Sequence, residues 1–256
     1  MTVSISPPKP AFGQRTFSAL GILVLILLWQ LGAAMGGAFV LPPPLEVAKR
    51  FIGLARAGTL WAPALVTTWQ TLAGYVLGCL TGFMFGLAGG SAKGLGVVLN
   101  SMARLVLGVP PIIWVVLALF WFGPVGRVAI FTVAIGIAPI IFSGTLAGMQ
   151  AAQPELDELA SAFKATQWQH FWEIRLPQIM VTLLPALTTS LGLSWKMALM
   201  AEVLSGDSGI GGEIATMRAY LDTVGTMAWV MAALALLLGT DIFLQKLMSA
   251  LPMNGR

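Results

Sequence analysis

Charge is what this sequence has least of. The chain has 256 residues, of which 14 are Lys or Arg and 10 are Asp or Glu, 9% in all, while 57% are apolar. Mean hydropathy is +0.88. A water-soluble domain carries about 25% charged residues to keep its surface wet. The shortage excludes a soluble enzyme, a disordered tail and an ordinary nucleic-acid binder. The net charge of +4 is spread along the chain without a basic patch or run, so it reads as a membrane topology signal and implies no nucleic-acid partner. Cysteine occurs once, at Cys79, which excludes an intrachain disulfide and any CxxC framework. Histidine also occurs once. His170 lies among charges and reads as solvated, because a metal site needs several converging ligands. No GxxxxGK[ST] phosphate loop occurs, and Ser205-Gly206-Asp207-Ser208-Gly209-Ile210-Gly211-Gly212 is a Gly-rich turn instead. No Ser/His/Asp, Cys/His or paired-carboxylate arrangement is present. The chain is therefore expected to hold no catalytic residue, metal or cofactor of its own.

What is present is long apolar runs. A membrane-spanning helix needs roughly 20 apolar residues at 1.5 Å rise each. Uncharged stretches run over Thr16–Leu45, Ala57–Ala92, Leu105–Gly126, Val128–Pro154, Leu176–Trp195 and Thr223–Thr240. These predict an all-α, polytopic membrane protein in one domain, 1–256. Its six spans fall at about 17–35, 64–88, 96–121, 125–148, 179–204 and 225–249. The first apolar stretch is longer than the about 7–15 residues of a signal-peptide core and leads into more membrane sequence, so it is expected to be retained. Residues 1–16 then form a tail. With an even number of spans both termini share one side. Placing them in the cytoplasm puts eight basic residues inside (Lys9, Arg15, Lys93, Arg104, Lys164, Arg175, Lys246, Arg256) and five outside (Lys49, Arg50, Arg56, Arg127, Arg218). That is a weak positive-inside bias.

Several local signals stand out. Gly74, Gly78, Gly82, Gly86 and Gly90 recur every fourth residue in the second span, a bare stripe on one helix face suited to close helix–helix contact. Cys79, in the same span, reads as a small packing residue. Pro110-Pro111 removes two backbone donors and pushes Val109 out of the helical region, so the third span should be two pieces, about 96–108 and 112–121. Such a break either lines a cavity or is a kink. Leu41-Pro42-Pro43-Pro44 is a rigid exit from the first span into a surface segment bearing Lys49, Arg50 and Arg56.

The polar stretch 153–178 holds Glu155, Asp157, Glu158, Lys164, His170, Glu173 and Arg175. Gln153-Pro154-Glu155 reads as a helix start. Leu156, Leu159, Ala160, Phe163 and Trp168 then recur at helical spacing, and Pro177 closes the segment. One or two short amphipathic helices outside the bilayer are expected there, with mixed charge that suits a protein partner. Inside the spans, Lys196 and Glu202 are functional candidates because buried charge is costly in a bilayer. They are six residues apart and so lie on different faces. Lys196, about 24–30 Å from the start of its helix, could line a solute path or snorkel to the headgroups. Asp241 near the end of the last span reads as an interfacial cap or ion-pair partner.

The polar stretch resembles a motif of the inner-membrane permeases of binding-protein-dependent ABC importers: E-A-A, three residues, G, nine residues, I-x-L-P. Glu158-Leu159-Ala160 is followed after three residues by Lys164, and Ile174-Arg175-Leu176-Pro177 comes nine residues later. Leu159 replaces an Ala, and Lys164 replaces the Gly that usually bends the loop. Lys164 is therefore expected to adopt another turn geometry or to continue the helix. Leu41 to Val47, Val109 to Trp114 with Trp121-Phe122-Gly123, Gly192-Leu193-Ser194-Trp195, Ala201-Glu202 and Gly209-Ile210-Gly211 resemble the nitrate/sulfonate/taurine/bicarbonate branch. The likeness covers about 40 to 250.

This resemblance implies a permease subunit, paired with a second copy in the bacterial inner membrane and served by a periplasmic solute-binding protein. A cytoplasmic ATP-binding subunit, which uses ATP and Mg, would dock on the coupling loop through Glu158, Ala160, Lys164, Ile174, Leu176 and Pro177. It implies cytoplasmic termini and a small, anionic solute passing near Trp195, Lys196 and Glu202. The competing readings are a self-sufficient carrier or channel and a membrane enzyme. A carrier would be expected to show inverted repeats with paired broken helices, and only one strongly broken helix is visible.

Overall fold

The computed structural model describes residues 12–37, 39–151, 154–206 and 208–250, and every regular element among them is helical. Helix α1 (Phe12–Gly36) begins inside the segment assigned above to a tail. The Trp29 indole N–H donates to the Pro42 carbonyl at 3.0 Å and folds the proline-rich exit back against α1. Pro44 then opens α2 (Pro44–Arg56), where its missing N–H goes unused. The segment bearing Lys49, Arg50 and Arg56 is thus an amphipathic helix. It buries Val47 and packs Phe51 and Leu54 beside Ile210 and Trp229.

Helix α3 (Trp61–Ser91) carries the glycine stripe, and α4 (Lys93–Gly108) and α5 (Pro111–Phe122) follow it. Val109 and Pro110 are extended, at φ/ψ −81/122 and −55/139, and the two pieces meet at 92°. Next come α6 (Arg127–Gln150), α7 (Pro154–Ala162) and the short α8 (Gln167–Gln169). A π-helical turn over His170–Arg175 joins α8 to α9 (Leu176–Ser205). Helices α10 (Ile210–Ala219) and α11 (Thr223–Ala250) complete the chain.

Helix α3, α6 and a window within the helical stretch that contains α9 are long and apolar enough to cross a bilayer, as is Thr223–Thr240 of α11; the bent α4–α5 pair makes a fifth span if it is counted as one. The described apolar part of α1, Leu20–Gly36, is shorter.

The core is a three-helix stack of α3, α6 and α9. A side chain at Gly74 would strike Val133, at Gly78 Ile137, at Gly82 Ile141, at Gly86 Thr145 and at Gly90 Met149. Both series ascend together, so α3 and α6 run parallel, with backbone against backbone. On the other side of α6, Gly136 meets Met197, Gly144 meets Ala186 and Gly148 meets Ile179, which makes α9 antiparallel. Pro139 and Pro185 lie inside α6 and α9 without ending either helix.

Two ends of the bundle follow from these directions. One holds the C-terminus of α6, the 154–175 segment and the start of α9. The other holds the starts of α3 and α6, the end of α9, α10 and α2.

Candidate functional site

At the first end, α7 closes in a left-handed turn. The Ala165 N–H donates to the Ala160 carbonyl at 2.9 Å, and Lys164 has φ 52. This is a helix C-terminus with its left-handed residue one position past the cap. The expectation that Lys164 would change the turn is corrected. Lys164 keeps the left-handed backbone that glycine adopts more easily, at a strain of about 1 kcal/mol. Thr166 then starts the next helix through a capping box with Gln169: its hydroxyl accepts from the Gln169 N–H at 3.3 Å, while the Gln169 Oε1 accepts from the Thr166 N–H at 3.0 Å.

Pro177 does not close the segment. It directly follows the π-helical turn, so Leu176 and Pro177 belong to one helical run that passes from α8 through the π turn into α9. Ala160 is buried, Ile174 and Leu176 are half-buried, and Glu158 and Pro177 are exposed. Gln153, Asp207 and the side chains of Asp157, Leu159 and Asp241 lie outside the described residues. Phe163 and Trp168, part of the apolar series in this segment, point outward, at 79% and 71% exposure. Trp168, Phe171 and Trp172 form an aromatic cluster, with the Trp168 and Trp172 ring centroids 5.2 Å apart.

At the other end, Glu202 is fully buried. The Thr67 hydroxyl donates to its Oε2 at 2.8 Å, and the Gly211 N–H donates to the same oxygen at 2.9 Å. Thr67 in turn accepts from the Ile210 N–H at 2.9 Å. The Gly-rich turn is moulded around this carboxylate. Gly206 (φ 65) ends α9 in the left-handed region, and Gly209 (φ 118) has a backbone that other residues rarely adopt. A Cβ at Gly209 would lie 2.6 Å from the carboxyl carbon of Glu202. One side chain thus ties α9, α3 and α10 together.

Trp195 is also buried, and its Nε1 has no hydrogen-bond partner among the described residues. Lys196 is exposed, on the same stripe of α9 as Pro185 and Thr189. The three candidate pathway residues are therefore not brought together: Trp195 and Glu202 face into the chain and Lys196 faces out of it. Sequence reasoning missed Thr67 and Gln70. Their signal was the polar cluster Thr67-Thr68-Trp69-Gln70-Thr71 at the start of an apolar span, of which Thr67, Gln70 and Thr71 are buried.

Comparison with known proteins agrees with this architecture. The putative aliphatic sulfonates transport permease protein SsuC of Bacillus subtilis is 26% identical over 202 residues, covering 78% of this chain and 73% of its own. The taurine transport system permease protein TauC of Escherichia coli is 26% identical over 90% of this chain and 86% of its own. The nitrate import permease protein NrtB of Synechocystis is 27% identical over 75% and 73%. The crystal structure of an amino acid ABC transporter matches in fold with a TM-score of 0.61 at 20% identity, over 78% of this chain and 95% of that one. The family model for the binding-protein-dependent transport system inner membrane component matches residues 74–247. With that match spanning most of a multi-pass helical chain, and relatives from the sulfonate, taurine and nitrate branch, the protein belongs to the family of binding-protein-dependent transport system inner membrane components.

Proposed function

We propose that this chain is the permease subunit of an importer for a small anionic solute, working as a homodimer in the bacterial inner membrane with six spans per copy and both termini cytoplasmic. A separate ATP-binding subunit, which uses ATP and Mg, docks on the 154–175 segment, and a periplasmic binding protein delivers solute to the opposite end. The observation that carries this reading is the shape of that segment. It presents Glu158, Phe163, Trp168 and Trp172 outward at one end of the bundle, and its second half runs through the π-helical turn into α9. An aromatic and acidic surface of this kind suits insertion into a cleft on a protein partner. Force applied at Trp168 or Trp172 reaches α9 along one unbroken helical run.

Solute passes along the outward stripe of α9. Lys196 supplies a positive charge that a bilayer would otherwise oppose, while Glu202 and Trp195 support α9 from behind. Relatives named for sulfonate, taurine and nitrate transport support an anion as cargo.

The test is uptake and ATP hydrolysis by the assembled complex in proteoliposomes. Glu158→Lys is expected to leave assembly intact and to lower uptake at least about tenfold per ATP hydrolysed, the loss of one charge-assisted contact. Lys196→Met is expected to lower uptake of the anion with ATP hydrolysis retained. Normal uptake in Glu158→Lys, or uptake that survives removal of every ATPase, overturns the reading in favour of a self-sufficient carrier.

A further inference from the structure

Two hydrogen bonds tie α3 to α9, one on either side of an unpaired stretch. The Thr67 hydroxyl donates to Glu202 Oε2 at 2.8 Å, and the Tyr75 hydroxyl donates to the Leu187 carbonyl at 2.9 Å. Thr71 lies four residues after Thr67 and four before Tyr75, so the three share one face of α3. Trp195 lies seven residues before Glu202 and eight after Leu187, on the stripe of α9 that those two mark. Because the helices are antiparallel, the register sets Thr71 across from Trp195, midway between the two bonds.

Both residues are buried, Thr71 at 0% and Trp195 at 3% exposure. Neither Thr71 Oγ1 nor Trp195 Nε1 has a hydrogen-bond partner among the described residues. A hydroxyl in a helix has a ready alternative in the carbonyl one turn back, and Thr132, Thr145 and Ser194 all take it. Thr71 does not. Its hydroxyl and the indole N–H are thus two orphaned groups on facing stripes, and buried polar groups of this kind are nearly always satisfied.

The chemistry of the pair narrows what can join them. An indole N–H only donates, which rejects a cation. An anion would be buried with no cationic side chain on either stripe, about 10 Å along α9 from the Glu202 carboxylate. A neutral group that accepts from the indole and donates to the hydroxyl oxygen fits both, and water is the smallest such group. A bridging water is nearly as strong as a direct hydrogen bond.

We propose that a buried water molecule binds between α3 and α9, accepting from the Trp195 indole N–H and donating to the Thr71 hydroxyl oxygen. It completes the polar seam between the Glu202 and Leu187 contacts. The site is independent of the permease reading above.

Two measurements on the full chain in maltoside micelles test it. Hydroxyl radicals made by a synchrotron X-ray pulse arise from bound as well as bulk water, so they oxidise a buried side chain that touches a bound water. Mass spectrometry is expected to find Trp195 oxidised several times faster than Trp229, which is equally buried at 3% exposure. Thr71→Val keeps the side-chain shape and removes the acceptor. It is expected to slow Trp195 oxidation and to lower the unfolding midpoint by about 2–4 °C, the effect of stranding one buried donor in a chain of this size. In a Trp195→Phe background, which has no donor to strand, the same substitution is expected to leave the midpoint unchanged or to raise it. The proposal is overturned if Trp195 oxidises no faster than Trp229, even where the midpoints follow this pattern, because a direct Thr71–Trp195 hydrogen bond then accounts for them. It is also overturned if Thr71→Val fails to lower the midpoint in the chain that retains Trp195, or lowers it equally in both backgrounds.

Discussion

Among the described residues Glu202 is the one charged side chain that is fully buried, and its carboxylate is the anchor for backbone and hydroxyl donors from two other helices. Removing it would strand the Thr67 hydroxyl and the Gly211 N–H in an apolar setting. Each stranded donor costs about 1–3 kcal/mol. Glu202→Ala should therefore destabilise the chain by about 2–4 kcal/mol, while Glu202→Gln, which keeps an acceptor oxygen for both donors, should cost far less. Thermal unfolding in detergent distinguishes the two, and equal melting of both variants would remove the anchoring role. The sequence marked Glu202 as costly, but Thr67 is 135 residues away, and no local pattern pairs residues at that distance. Lys164 is a similar case. Its spacing in the motif was legible, whereas its left-handed backbone depends on Ala160 and Ala165 closing the turn around it.

The elements were more legible than their partners. Uncharged runs marked where apolar helices lie, because the bilayer imposes one length on all of them. The four-residue glycine register marked a contact face on α3, but its partner could have been any other span. The structure places α6 there, close enough that a Cβ at Gly78 would come within 2.5 Å of Ile137. Gly82→Leu should then force α3 and α6 apart, at a cost of about 3 kcal/mol or more. Gly239→Ala, with nothing within 4 Å, should be near neutral. Comparing their unfolding midpoints tests this directly, and a Gly82→Leu variant as stable as Gly239→Ala would contradict the close approach. Helix α2 and the run from α8 into α9 were read too loosely, because proline was taken as a break where a helix begins or continues. Pro44 occupies a first turn, where no donor is lost, and Pro177 follows the π-helical turn inside a continuous helical run.

For the whole molecule, the parallel and antiparallel pairings give the bundle two distinct ends. A helix the length of α6, 24 residues, separates them by about 36 Å, somewhat more than the hydrocarbon thickness of a bilayer. The proposed topology therefore puts Glu158 and Arg127 on opposite sides. In a background lacking Cys79, single cysteines at these two positions should react with an impermeant maleimide from opposite faces of sealed vesicles. Labelling of both from one face would refute the two-ended arrangement, and labelling from exchanged faces would reverse the topology. Among the described residues, α4 and α5 meet at a 92° bend where two adjacent prolines forbid a continuous helix.

The glycine seam also limits how the molecule can change shape. Because the side chains of Val133, Ile137, Ile141 and Thr145 sit directly over bare backbone, α3 cannot slide along α6 without lifting off it. The two helices must turn together, as a single stiff beam. A beam about 36 Å long that tilts by about 5° carries its far tip roughly 3 Å sideways. A nudge at one face of the membrane would then arrive at the other face as a displacement about as wide as a water molecule, with no part of the beam bending on the way.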